Sequence, residues 1–135
     1  MNKIKSLVKN PDLGLLIFRI YLGLSMAIAH GWMKIPPMQQ LVEGLASMGF
    51  PAPTFFAWCA ALAEFGGGVL IALGLLTRLS AGALGFTMFV AGFVAHANDP
   101  FQVKELAFLF LASCVLLVFT GAGKYSLDKV FCKNK

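Results

Sequence analysis

Charge is scarce in this chain. Of 135 residues only 6 are Asp or Glu and 11 are Lys or Arg, while 59% are hydrophobic and the mean hydropathy is +0.79. So few charges cannot solvate the surface of a soluble domain of this length, which leaves one integral membrane domain over residues 1–135. Histidine and cysteine are nearly as rare. Cys59, Cys114 and Cys132 show no CxxC spacing and no grouping with His30 or His96, so zinc and other metal signatures are excluded and the thiols read as small packing residues. There is also no P-loop, no GxGxxG after a strand and no nucleophile elbow. The net charge of +5 sits at the two chain ends and in one short turn, without a basic stripe interleaved with aromatics. That distribution argues against nucleic acid and for anchoring at a membrane surface.

What the chain has in abundance is apolar sequence of spanning length. Four runs, about residues 13–30, 54–76, 79–95 and 103–120, each approach the ~20 residues that a helix needs to cross hydrocarbon. Breakers separate them: "IPPMQQ", "GFPAP" and "ANDP". Backbone polar groups in lipid must be satisfied within their own segment, so the runs are helices. Asn10-Pro11-Asp12 predicts the start of the first, and Thr120-Gly121 the stop of the last. The fold class is all-α, an integral membrane four-helix bundle in contact with the lipid bilayer. Lys3, Lys5, Lys9, Arg78, Lys124, Lys129, Lys133 and Lys135 fall on one side and only Lys34 and Lys104 on the other, which predicts cytoplasmic N- and C-termini. A cleaved signal peptide ending at "AIA", Ala27 to Ala29, is the competing reading. Arg19 would interrupt its hydrophobic core.

Two charges, Arg19 and Glu64, fall deep inside the spans, away from their ends, and an ionised group in hydrocarbon must be paired or neutralised. Counted from the outer ends of their helices, Arg19 and Glu64 lie at similar depth, roughly 15 Å down, so a structural ion pair between them is expected. Gly23 and Ala27 share a face of the first helix, and Gly67 and Gly68 follow Glu64 on the second, spacings that invite close helix approach. At the outer face His30 and Lys34 close the first helix, His96 closes the third and Glu105 opens the fourth. With Glu64 as floor, these five residues predict a polar, outward-opening ligand pocket. Phe50, Phe55, Phe56, Trp32, Trp58 and Phe101 would line its approach or form an interfacial belt.

Four stretches carry a family resemblance: "HGWMK" at His30 to Lys34, "EFGGGVLIALGLLTR" at Glu64 to Arg78, "MFVAGFVAH" at Met88 to His96 and "GAGKYSLD" at Gly121 to Asp128. Through them the chain resembles the DoxX family of small four-helix membrane proteins. The resemblance implies a multi-pass protein of the bacterial cell inner membrane. It also implies a link to redox chemistry, since the family takes its name from a subunit of an archaeal thiosulfate:quinone oxidoreductase and other members are linked to quinone or thiol detoxification. The function expected is therefore a redox-associated protein that binds a quinone-like or small oxidant ligand in the outer pocket. Its enzyme form would be a subunit of a quinone-linked oxidoreductase; the catalytic residues are not named by the resemblance. Quinone is the one cofactor expected. The alternative is a non-catalytic scaffold or assembly partner, bound to a membrane or peripheral redox protein or to a second copy of itself.

Overall fold

Asn10 opens the first span as its cap: its side-chain oxygen accepts from the Leu13 N–H at 3.2 Å, and Pro11 follows at the first helical position. In the computed structural model, which describes residues 9–132, that span runs Pro11–Lys34. It is α-helical to Leu24, widens to a π-helix over Ser25–Gly31 and tightens to a 3-10 turn over Trp32–Lys34. The other spans are Pro53–Leu73, Thr77–Ala95 and Phe101–Thr120. The third also ends in π-helix, over Ala91–Ala95. Gly121, at φ 73°, stops the fourth after Thr120. A loop helix, Gln39–Ser47, lies between the first two spans, and a closing helix, Leu127–Cys132, ends the described chain. Among the described residues there is no strand. Lys3, Lys5, Lys133, Lys135 and the side chain of Cys132 lie outside the description.

Successive spans pack side by side. The buried core draws Leu22 and Met26 from the first, Ile71 from the second, Ala81, Leu84 and Met88 from the third, and Phe110, Cys114 and Leu117 from the fourth. The outward faces are apolar, with Tyr21, Leu79 and Phe119 each more than two-thirds exposed, as a lipid-facing surface requires. The tightest crossing joins the first and second spans. A β-carbon on Gly68 would meet the Gly23 carbonyl oxygen at 2.7 Å and the Ala27 nitrogen at 2.9 Å, so only glycine permits this backbone contact.

Both described chain ends lie at one end of the bundle, called here the terminal end; the opposite end, with Lys34 and the loop helix, is the distal end. Asp12 accepts from the Lys124 N–H at 2.8 Å, and Asp128 accepts from the N–H groups of Leu76 and Thr77 at 2.7 and 3.0 Å. The closing segment is thereby laced to the starts of the first and third spans.

Arg19 corrects one expectation. It does not pair with Glu64. Its Nε donates to the Ala122 carbonyl at 3.0 Å, its Nη1 to those of Ile71 and Ala72 at 3.3 and 3.0 Å, and its Nη2 to that of Tyr125. The depth count failed because the first helix continues past His30 to Lys34. Arg19 thus lies about fifteen residues, roughly 22 Å, below its helix end, at the last turn of the second span and not at its middle. There the Ile71 carbonyl already accepts from the Gly74 N–H at 3.1 Å, and the guanidinium adds a donor to it, supplies one to the Ala72 carbonyl and complements the negative end of the helix.

Candidate functional site

Gly31 sets up the site. A β-carbon there would meet the Glu64 carbonyl carbon at 2.8 Å, so the distal end of the first span lies directly on the backbone of the second. The 3-10 turn that follows carries Lys34 over the Glu64 side chain. Lys34 Nζ donates to both Oε1 and Oε2 at 2.7 Å. Glu64 is 2% exposed and Lys34 is 27% exposed. A two-pronged, charge-assisted contact of this kind is the strong form of the interaction and neutralises a carboxylate that hydrocarbon would otherwise reject.

The pair borders a cavity of about 270 Å³ between the second and third spans, roofed by the loop helix. Leu41, Leu45 and Met48 form the roof. Phe50, Phe56, Ala60 and Ala63 make one wall, and Phe86, Val90, Ala91 and Ala95 the other. Cys59 and Thr87 add the remaining polar atoms, although the Thr87 hydroxyl already donates to the Ala83 carbonyl at 3.2 Å. Phe86, 65% exposed, stands on the bilayer side. The chemistry on offer is an ammonium donor and a carboxylate acceptor at the edge of an otherwise apolar slot.

Of the five residues expected to share a pocket, Lys34 and Glu64 come together and His30, His96 and Glu105 do not. The described wall contains none of those three. His30 is turned toward the fourth span, edge-on to Phe110 with ring centroids 5.8 Å apart. His96 contacts Asp99 through Nδ1 at 2.7 Å in the exposed distal loop. Glu105 is exposed on the fourth span. The aromatics divide as well. Phe50 and Phe56 stand in the wall, edge-on to each other at 5.3 Å, while Trp32, Phe55, Trp58 and Phe101 are exposed.

Three features of the site escaped the reading of the sequence. Leu41, Leu45 and Met48 recur at the i, i+4, i+7 spacing of an amphipathic helix, and that signal would have found the roof. Cys59 and Thr87 carried no such signal, since a polar residue within an apolar run does not say which neighbour it faces.

With this geometry in hand, comparison with known proteins identifies the lineage. A DoxX family model matches residues 14–97. The chain belongs to the DoxX family. It is similar to "Inner membrane protein YqjF" of Escherichia coli (strain K12), 36% identical over 134 residues, covering 93% of this chain and 98% of the relative. It is also similar to "Putative oxidoreductase CatD" of Bacillus subtilis (strain 168), 30% identical over 128 residues, covering 94% and 93%. An uncharacterized protein of Haemophilus influenzae is 33% identical over 117 residues, covering 81% and 84%. No solved structure matches. The family, YqjF and the four spans together make this DoxX protein a multi-pass inner-membrane protein.

Proposed function

We propose that the distal cavity of this DoxX protein binds a lipophilic, oxygen-bearing ligand drawn from the bilayer, a quinone head group first of all, in the service of membrane redox chemistry. The observation that carries the reading is the Lys34–Glu64 pair at the edge of an apolar cavity that fronts on lipid. Ligand pockets combine apolar walls with a few fixed polar groups in this way. Lys34 would donate to a quinone carbonyl, and Glu64 would accept from a quinol hydroxyl. The oxidoreductase assignment in the name of CatD points the same way.

The scaffold reading draws less support. Gly23, Gly31 and Gly68, the small residues best suited to receiving a partner helix, are already occupied by contacts between the first two spans.

Titration of the purified protein with a short-chain ubiquinone analogue, followed by quenching of Trp58 beside Cys59, tests the proposal. Saturable binding should weaken about tenfold or more in Glu64→Gln, as expected when a buried polar partner is lost at ~1–3 kcal/mol. Binding that ignores both Glu64→Gln and Lys34→Met would move the ligand elsewhere, and no binding at all would favour the scaffold.

A further inference from the structure

The terminal end carries a second depression, of about 810 Å³, where the third span begins and the fourth ends. Its wall holds three cations, Arg78, Lys124 and Lys129, and two carboxylates, Asp12 and Asp128. The carboxylates are already engaged: Asp128 accepts from the N–H groups of Leu76 and Thr77, and Asp12 from that of Lys124. The cations are not matched in the same way. Arg78 Nη2 reaches the Phe119 carbonyl only at 3.5 Å, and the Lys124 ammonium lies 6.0 Å from the Tyr125 ring centroid. Among the described residues none of the three forms a salt bridge.

Thr77 adds an independent sign. It is fully buried in the same wall, and its Oγ1 has no hydrogen-bond partner among the described residues. Thr87 satisfies its hydroxyl on the carbonyl four residues back, but Thr77 opens its helix, where no such helical acceptor exists. A buried polar group left without a partner calls for a ligand or water to complete it.

From this depression an apolar groove of about 280 Å³ runs along the lipid-facing seam of the third and fourth spans. Gly82, Phe86 and Phe89 line one side, Leu111, Val115 and Phe119 the other. The two features adjoin, since Leu79 and Thr120 belong to the first while Gly82, one turn on, and Phe119, the next residue, belong to the second.

We propose that depression and groove form one site for an anionic phospholipid, its phosphate held by Arg78, Lys124 and Lys129 above Thr77 and an acyl chain lying in the groove. Cations at a membrane surface attract anionic head groups. A free phosphate would use the polar half of the site alone and leave the groove without a role, so the ligand is a lipid.

Native mass spectrometry of the full chain, released from detergent with dioleoyl-phosphatidylglycerol or dioleoyl-phosphatidylcholine, tests this. Phosphatidylglycerol should be retained at least about tenfold more than phosphatidylcholine, and Arg78→Gln with Lys124→Gln should abolish the preference. Gly82→Leu adds bulk at the groove wall, where a β-carbon at Gly82 meets nothing within 4 Å, and an unchanged unfolding temperature checks that the fold is kept. The substitution should lower retention of both long-chain lipids severalfold. Equal retention of the two lipids, or indifference to the Arg78 and Lys124 changes, would overturn the site. Displacement of phosphatidylglycerol by equimolar glycerol phosphate would overturn the lipid assignment in favour of a soluble phosphate.

Discussion

Among the described residues two charged side chains are buried, and each is accommodated by a different chemistry. Arg19 is 1% exposed and spends its donors on four backbone carbonyls; Glu64 is 2% exposed and takes both prongs of one ammonium. The difference follows from donor geometry. A guanidinium presents five N–H groups in a rigid fork and can bind several fixed carbonyls at once, whereas a lysine ammonium is a compact charge on a flexible stem. Arg19→Lys should therefore fail to restore stability and cost about 2–3 kcal/mol, read by thermal or denaturant unfolding in detergent, because the Ala72 carbonyl at the end of the second span is left unpaired. For the other charge, removing either partner of the Lys34–Glu64 pair should cost about 3–5 kcal/mol, while Lys34→Met with Glu64→Leu should cost much less than the sum. The same cycle run on Arg19 and Glu64 should be additive. Strong coupling between those two would contradict the hydrogen bonds assigned to Arg19.

At the scale of the element, three consecutive glycines separate sharply. Gly66 faces open space, Gly67 sits 3.6 Å from the Ser80 carbonyl by the position its β-carbon would take, and Gly68 is wedged on the first span. Gly66→Ala should leave stability unchanged or raise it by about 0.5–1 kcal/mol through better helix propensity. Gly68→Leu should push the first two spans apart and lower the unfolding temperature; equal effects at the two positions would mean that the spans do not cross at Gly23. This crossing was legible in advance, since Gly23, Ala27 and Gly68 stood at close-packing spacings. So were the cap at Asn10 and the stop at Gly121, because both are local backbone chemistry. The extension of the first helix to Lys34 was not. Its π-helical stretch, Ser25–Gly31, sets the length and phase of the last turns, and nothing in apolar periodicity encodes that choice. From that one misjudged end came the wrong partner for Arg19. The dispersal of His30, His96 and Glu105 has a related cause, since a span count places residues at a membrane face but does not place them around its circumference.

For the whole molecule, four crossings return the chain to the face on which it starts, and the contacts of Asp12 with Lys124 and of Arg19 with Tyr125 show the two described ends together. The charge distribution bears on which face this is. Lys9, Arg78, Lys124 and Lys129 belong to the terminal end among the described residues, joined in the sequence by Lys3, Lys5, Lys133 and Lys135. At the distal end only Lys34, bound to Glu64, and Lys104, which donates to the Ala97 carbonyl at 3.2 Å, count on the other side among the described residues. We propose from the positive-inside rule that the terminal end is cytoplasmic, which would put the distal cavity in the outer half of the membrane and the proposed phospholipid site in the inner leaflet. Cysteine labelling settles it in a background with Cys59, Cys114 and Cys132 replaced by alanine, which is needed because Cys59 is exposed. In intact cells a membrane-impermeant maleimide should modify Asn98→Cys in the distal loop and spare Lys3→Cys and Lys135→Cys until the cells are opened. Modification of both end sites in intact cells, with Asn98→Cys protected, would invert the protein and carry the cavity to the cytoplasmic half. Modification of only one end would rule out four crossings.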